Sequence, residues 1–374
     1  TATESIFGTT GNDSFTATQA TYNAGDIIAD SSSTDADTLT VNTTTTITAT
    51  PTVVGIETVT FNATGTLSSG TTTLTVDVAN ISAASQVFDV TNSASLVAGA
   101  SVSNAKSGSY TFSSEMETVA LAAAADADIV MNTEHSALNS TTGTNISTTG
   151  TADDLTINAG TNTVNVTASS ATEDLTITSG KVNALTAAGI LGDVSITSSG
   201  AVTVTAVTNA IGSATITNAG ATDGSDIVIT DMNSVTSANI TSAGSITATA
   251  NNGLAAATSI TAMATESSSI TADGVANQTL SLGANDPGGT TVVYTLNAST
   301  LESMVLTGTT PVSVVVDTAD ITTETVTNTN TSTNTAYLFI TDTGNATTDL
   351  TSVAANVFVG PSGDLAGSTL DNIV

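Results

Sequence analysis

The chain has 374 residues, of which 33 are acidic and two are basic, so its formal net charge is −31. This balance excludes nucleic-acid binding, because phosphate neutralisation needs Lys and Arg, and it excludes electrostatic attachment to an anionic bilayer. Uncompensated like charge destabilises a compact state, so the chain should attract cations. We therefore expect a counter-ion in the folded form.

The composition predicts an all-β protein. Thr supplies 82 residues and Ser 44, together a third of the chain, and Val, Ile and Leu are interleaved with them. Thr, Val and Ile share a branched Cβ that favours strands. Cys and Trp are absent and aromatic residues are few, so we expect an aliphatic core without disulfides. The longest apolar run, residues 120–125, is too short for a membrane span, and no membrane insertion is expected.

The first 145 residues are predicted to form a β-rich region with acidic loops. TLTVNTTTTITATPTVVGIETVTFNATG (38–65) contains two or three alternating stretches typical of strands. SSEMETVALAAAADADIVM (113–131) is rich in Ala and is the one helix candidate, although ETVAL within it alternates like a strand. The chain begins at Thr1 without a signal peptide, which indicates a processed or excised segment.

Residues 146–287 are predicted to form a parallel β-solenoid with coils of about 20 residues. Isoleucine recurs there in steps of 20, 19, 20, 24 and 20, at Ile157, Ile177, Ile196, Ile216, Ile240 and Ile260. Leu280, 20 residues after Ile260, would continue the series. Stacked coils would place Ile on Ile, and Thr and Asn in similar ladders. A Thr-rich antiparallel sandwich is the alternative, but a fixed 20-residue period favours the solenoid. Residues 288–374 are predicted to be β-rich and less regular.

Acidic residues cluster at the loops and strand starts, which suggests Ca²⁺. This ion takes six to eight oxygen ligands from carboxylates, amides, carbonyls and water. Acids on neighbouring coils would lie about 4.8 Å apart, the spacing of adjacent strands, and would repel without a cation. The candidate metal ligands are Asn12, Asp13, Asp26, Asp30, Asp35, Asp37, Asp126, Asp128, Asp153, Asp154, Glu173, Asp174, Asp223 and Asp226.

A second recurrence places Glu before a Thr or Ser and an apolar residue. Its members are Glu57, Glu117, Glu302 and Glu324. We interpret these as solvated acids at strand starts and not as metal ligands.

Catalysis is poorly supported by the residue types present. The chain has a single histidine, His135, and neither Cys nor Arg, so nucleophilic triads and zinc sites lack their usual groups. Paired carboxylates could hydrolyse glycosides, but the basic and aromatic residues that hold a sugar are nearly missing. We expect that the protein is not an enzyme, and a polysaccharide-processing β-helix is a remote alternative.

Several stretches resemble the RTX-related, calcium-dependent family of bacterial surface-layer (S-layer) proteins, of the Caulobacter type. They are GTTGNDSFTAT near the start, the GD…TDADTLTV segment, VVGIETVTFNATG and the long Thr/Ala/Val/Asn solenoid. The resemblance implies secretion, a β-solenoid lattice domain and Ca²⁺-driven assembly at the cell surface. The chain departs from the family because it lacks tandem Gly-rich nonapeptides.

Together these features predict a structural extracellular protein that self-assembles into a surface layer or filament, stabilised by Ca²⁺ at acidic loops. Its expected partners are further copies of itself and possibly a cell-surface polysaccharide. The alternative is an adhesin or fibre-shaft binding module. A salt-adapted acidic protein would also explain the charge, but it would respond to bulk salt and not specifically to Ca²⁺.

Overall fold

The structure is a computed structural model. It describes residues 3–32, 34–44, 47–64, 72–91, 98–113, 116–133, 144–168, 173–188, 192–208, 212–220, 225–232, 235–248, 254, 257, 259–272, 278–298, 301–317, 325–331, 336–341 and 357–361.

The described residues form strands joined by short corners. Their bounds are β1 Ser5–Phe7, β2 Ser14–Thr18, β3 Ile27–Ala29, β4 Thr38–Thr43, β5 Thr52–Val54, β6 Thr58–Thr64, β7 Thr72–Asp77, β8 Ile81–Ser82, β9 Ser85–Thr91, β10 Ala98–Ala105, β11 Gly108–Phe112, β12 Met116–Thr133, β13 Thr144–Asn158, β14 Thr163–Ala168, β15 Asp174–Ser179, β16 Lys181–Ala188, β17 Val194–Ser198, β18 Val202–Thr208, β19 Ser213–Asn218, β20 Ile227–Ile229, β21 Ser237–Thr241, β22 Ile246–Ala248, β23 Ser259–Ala264, β24 Ser268–Ala272, β25 Gln278–Ala284, β26 Val292–Ala298, β27 Leu301–Gly308, β28 Val312–Asp317, β29 Thr325–Asn328, β30 Ala336–Thr341 and β31 Val357–Pro361.

The predicted β-solenoid is confirmed. Strands of successive coils pair in parallel, with coils of about 22 residues. The antiparallel sandwich is therefore wrong. Parallel stacking also extends on both sides of residues 146–287, for example in β4–β6 and β28–β30.

Within the described part of the chain no helix is long and apolar enough to cross a membrane. The domain boundaries at residues 145 and 287 stay predictions.

The chain divides into two compact units. The first comprises residues 1–183 with 187–189, and the second comprises residues 184–186 with 190–374. In the first unit the early coils have three faces. The N-terminal sheet is β1-β3-β5-β8, the first long face begins β2-β4-β6-β9-β11, and the second long face begins β7-β10.

The Ala-rich helix candidate is an 18-residue strand, β12. Its first part pairs with β10, and its last part pairs with β11, so it passes from one long face to the other. Register shifts near Ala123 and Ala127 mark the bend. Local Ala content favours a helix, but the neighbouring coils offer a ladder of parallel hydrogen bonds that β12 and β13 complete together.

The core of the first unit contains an aromatic stack, which corrects the expectation of a wholly aliphatic interior. Phe61, Phe88 and Phe112 are register partners on β6, β9 and β11 and are fully buried. Their ring centroids are 5.4 Å and 5.1 Å apart in near-parallel stacking. Parallel, in-register coils bring identical positions together, so three of the chain's few aromatic rings form one continuous column.

The predicted Ile ladder is largely present. Ile157 pairs with Ile177 in the first unit, and Ile196, Ile216 and Ile240 are successive partners in the second. The next step differs from the prediction. Ile240 lies over Ala262, and Ala238 lies over Ile260, so the pairing shifts by two residues between β21 and β23. A shift of two keeps the same side chains inward, and Ile260 then continues the ladder to Leu280.

Asn side chains form short ladders on the outer faces, as the stacking predicts. The amide Nδ2 of one Asn donates to Oδ1 of its neighbour one coil away at 3.0 to 3.1 Å: Asn62 to Asn42, Asn158 to Asn132, Asn165 to Asn145 and Asn183 to Asn165. Each ladder repeats across one strand spacing, so the amide pairs reinforce the register set by the core.

Candidate metal centre

The acidic residues of the first three coils meet at one corner, where the chain leaves the N-terminal sheet for the first long face. This acidic corner comprises residues 8–13, 30–32, 34–37 and 55–57, which follow β1, β3 and β5. Asp13, Asp37 and Glu57 each immediately precede a strand of the first long face. Because β2, β4 and β6 begin at register partners, the three acids stack on successive coils.

Backbone hydrogen bonds hold these stacked carboxylates in place. The N–H of Asp13 donates to Oδ1 of Asp37 at 2.7 Å, and the N–H of Asp37 donates to Oε2 of Glu57 at 2.8 Å. The carboxylates of Asp37 and Glu57 thus each accept a hydrogen bond from the equivalent residue of the preceding coil. Such charge-assisted bonds are among the stronger ones in proteins, and they keep the acids directed into the corner.

Two further acids of the corner, Asp30 and Asp35, lie in the segment between β3 and β4. Asp30 lies at its start, and Asp35 lies two residues before Asp37. The carboxylates of Asp13, Asp30 and Asp37 offer oxygens within 4.8 Å of one another, and so do those of Asp35, Asp37 and Glu57. The two groups share Asp37.

Several of these oxygens are buried without a hydrogen-bond donor. They are Asp30 Oδ1, Asp37 Oδ2 and both carboxylate oxygens of Asp35. Asp37 is 0% exposed and Asp30 is 8% exposed. The chain's two basic side chains, Lys106 and Lys181, come later than these coils. Burying an anionic oxygen without a partner is costly, and a bound cation would offset that cost.

The electrostatic strain of the corner is visible at Asp37. The N–H of Asp13 lowers the pKa of the Asp37 carboxyl. Burial, together with the negative charges of Asp35, Asp30 and Asp13, opposes this effect and raises the pKa above its ordinary value. Like charges at short range disfavour ionisation. A divalent cation would reverse this balance and hold the carboxylates ionised.

Two glycines make room at the corner, one for carboxylate oxygens and one for the backbone of Asp30. A Cβ on Gly8 would meet Asp30 Oδ1 and would lie 2.9 Å from Asp13 Oδ2. Gly55 has a φ of +71°, and a Cβ there would collide with the backbone oxygen of Asp30. The backbone therefore approaches the acids more closely than any other residue allows.

An all-oxygen donor set of this kind suits a hard cation. Carboxylates, carbonyls and water are the ligands that Ca²⁺, Mg²⁺ and Mn²⁺ prefer. The described part of the corner has no thiol or imidazole, and the chain lacks Cys altogether. Ca²⁺ tolerates irregular sets of six to eight oxygens at 2.3–2.6 Å, whereas Mg²⁺ demands a near-ideal octahedron. The acids come from three coils in unequal number, an irregular donor set of the kind that Ca²⁺ tolerates.

Two other predicted ligands of the N-terminal coils have structural hydrogen bonds instead. Asn12 Oδ1 accepts the N–H of Ala36 at 3.0 Å and links the first two coils. Asp26 lies at the opposite end of β3, where its two oxygens accept the N–H groups of Glu4 and Asn23 at 3.0 and 2.9 Å. Those N–H groups lower the pKa of Asp26. Asp26 has no oxygen in either of the two carboxylate groups.

The remaining predicted acids lie outside the acidic corner. Asp154 and Asp174 are register partners on β13 and β15, and both are exposed beside the exposed Glu173. Asp128 is exposed, and its N–H donates to Ser107 Oγ.

In the second unit, Asp226 Oδ1 accepts the N–H and hydroxyl of Ser245 at 2.9 and 2.8 Å. The side chains of Asp126 and Asp153, and all of Asp223, lie outside the described residues.

Sequence reasoning missed Glu57. We interpreted it as a solvated acid, but it is half-buried and joins the second carboxylate group. The signal was its position: it immediately precedes a strand, as Asp13 and Asp37 do. Of the other Glu residues in that recurrence, Glu302 is exposed as expected. The side chains of Glu117 and Glu324 are outside the described part of the chain.

Comparison of the chain with protein-family models, with curated proteins and with solved structures finds no match.

Proposed function

We propose that this protein is a structural, extracellular subunit that self-assembles into a surface layer or filament, and that Ca²⁺ bound at acidic corners stabilises its coils. The observation that carries this proposal is the acidic corner. Its five carboxylates come from three successive coils, and several of their buried oxygens have no donor. A cation there neutralises the repulsion and fastens coil to coil.

Because the acids of the corner come from three coils, an ion bound there would affect folding directly. An ion that binds only the folded state stabilises it by about 4 kcal/mol when its concentration is 1,000 times its Kd. In an unfolded chain the ligands from coils one, two and three are separated by some 20 residues each, so binding and folding are coupled. At low cytosolic Ca²⁺ the chain would remain unfolded and fit for secretion, and it would fold outside the cell.

Exposed features of the N-terminal coils support assembly with further copies. Phe7, Ile27 and Val54 lie on the outer side of the N-terminal sheet, and Phe7 is 70% exposed. β1 and β2 each pair with a single neighbour among the described strands, so each presents a free edge. Exposed apolar groups and free strand edges are common contact surfaces. A second copy of the chain would be held there by apolar contacts, with Ca²⁺ screening the like charges.

Electron microscopy of the purified chain tests the proposal, in millimolar Ca²⁺ and in EGTA at fixed ionic strength, with Mg²⁺ as the matched divalent control. We expect ordered sheets or fibres in Ca²⁺ alone. Dispersed particles in every condition would contradict self-assembly by this segment and favour an adhesin or fibre-shaft module. Assembly that persists in EGTA would keep the structural role and remove Ca²⁺ from the mechanism.

A further inference from the structure

We propose that the acidic corner is a dinuclear centre, in which two divalent cations share the carboxylate of Asp37. This inference deepens the proposed function and rests on its cation requirement. It follows from the arrangement of the five acids into two groups of three that have only Asp37 in common.

Distance favours two ions over one. Oxygens that ligate one Ca²⁺ at 2.3–2.6 Å lie at most about 5.2 Å apart, on opposite sides of the ion. The acids of the first group, Asp13, Asp30 and Asp37, meet this limit with one another, as do those of the second, Asp35, Asp37 and Glu57. At 4.8 Å the five acids form these two groups and not one, which favours one ion in each group.

Unsatisfied oxygens are present in both groups and at the residue between them. Asp30 Oδ1 belongs to the first group, and the two oxygens of Asp35 belong to the second. Asp37 Oδ2 is buried and free, while Oδ1 of the same carboxylate accepts the N–H of Asp13. One ion placed in either group would therefore leave buried, unpartnered oxygens in the other, at the full cost of their desolvation.

The balance of charge in the corner also favours two ions over one. The five carboxylates carry five negative charges when ionised. One divalent cation would leave three of these charges uncompensated in a largely buried corner, and two cations would leave one.

The two ions would fasten different coils. The first group joins Asp13 of the first coil to Asp30 and Asp37 of the second. The second group joins Asp35 and Asp37 of the second coil to Glu57 of the third. Asp37 is therefore the bridging ligand and the middle point of a three-coil clamp. The fourth coil has Ala84 at the equivalent position before β9, so the described ladder of acids ends at Glu57.

Native mass spectrometry of the metal-free chain during Ca²⁺ titration tests the inference without any substitution. We expect two ions to bind tightly before weaker binding to exposed acids begins. One tight ion would overturn the dinuclear centre and leave the proposed function intact. No tight ion would overturn both.

Isosteric variants assign the ions. We expect Asp30→Asn and Glu57→Gln each to lose one tight ion and Asp37→Asn to lose two. Asp154→Asn, an exposed acid outside the corner, is the matched control and should lose none. Circular dichroism in saturating Ca²⁺ verifies that each variant folds. Loss of all tight binding in both Asp30→Asn and Glu57→Gln, with the fold retained, would contradict two separate ions.

Discussion

The backbone N–H of Asp13 donates a 2.7 Å hydrogen bond to Oδ1 of Asp37, which follows 24 residues later and lies one coil away. The carboxylate of Asp37 therefore has two roles. One oxygen holds the first coil against the second, and the other is buried without a donor. The contact between these coils and the proposed cation site thus depend on the same side chain.

Ca²⁺ should stabilise the protein more at neutral pH than in acid. The raised pKa of Asp37 means that the ion-free folded state holds a proton more tightly than the unfolded chain. That contribution is fully present below the unfolded pKa and is lost as pH rises through the folded pKa. Ca²⁺ needs the ionised carboxylate and competes with the proton.

We therefore expect the difference in Tm between Ca²⁺ and EGTA to grow from about pH 4, near the ordinary Asp pKa, towards neutral pH. Differential scanning calorimetry at constant ionic strength measures it. A difference that does not change with pH would argue against carboxylate ligation.

Asp26 should stabilise the opposite corner with the reverse pH dependence. The N–H groups of Glu4 and Asn23 lower its pKa, so its contribution is present above the unfolded pKa and lost as pH falls through the folded pKa. Asp26→Asn should lower Tm at neutral pH, and the effect should shrink in acid. Since Asp26 has no oxygen in either carboxylate group, Ca²⁺ stoichiometry should not change. Loss of a tight ion in this variant would mean that Asp26 is also a ligand.

The aromatic stack should contribute strongly to stability. Phe88 is fully buried between Phe61 and Phe112, and Phe88→Ala should cost roughly 3–5 kcal/mol, through lost burial and the cavity left behind. Phe7→Ala, at an exposed position, is the matched control and should change stability by about 0.5 kcal/mol or less. Urea unfolding in EGTA gives both values. Equal losses would show that the Phe88 site collapses around the substitution.

The Gly55 turn should be required for the acidic corner. Gly55→Ala would strain a positive φ by roughly 1–2 kcal/mol and would push Cβ into the backbone oxygen of Asp30. Gly160→Ala meets the φ cost alone, because its Cβ has nothing within 4 Å. We expect Gly55→Ala to reduce both stability and Ca²⁺ affinity and Gly160→Ala to reduce stability only. Isothermal titration calorimetry distinguishes them, and unchanged affinity in Gly55→Ala would contradict the prediction.

The exposed pair on β13 and β15 should behave as a simple repulsion and should not hold Ca²⁺. Asp154 and Asp174 face each other in register, and like charges so placed are destabilising by about 0.2–1 kcal/mol. Asp154→Asn should therefore raise stability in EGTA at low salt. If Ca²⁺ bridges the pair, the same substitution should lower stability in millimolar Ca²⁺. Thermal melts in both buffers test this, and a gain of the same size in each would exclude a bridge.

Composition and periodicity predicted the fold class correctly. A third of the residues are Ser or Thr, and many of the others are branched apolar residues, a composition that favours strands. Apolar residues also recur about every 20 positions. Stacked parallel coils are the arrangement in which such a repeat buries one face of each coil. The Ile157–Ile177 pair follows directly from that period. The period could not reveal the two-residue shift at Ile240 and Ala262, because either register keeps the same side chains inside.

The acids that meet at the acidic corner were singled out from the sequence only in part. Asp13, Asp30, Asp35 and Asp37 stood out because they are close together in sequence, whereas Glu57 is 20 residues further on. Its membership depends on the register that stacks β6 on β4.

The high negative charge and the β-solenoid could both be recognised from the sequence, because charge and residue period are properties of the chain alone. Which acids meet depends on the tertiary structure. Coil stacking brings Asp13, Asp37 and Glu57 together at one corner and buries their neighbours' oxygens. It leaves Asp154 and Asp174 exposed to solvent, although they too stack in register. Burial without a donor separates the two cases, and burial depends on contacts between coils that sequence spacing does not specify.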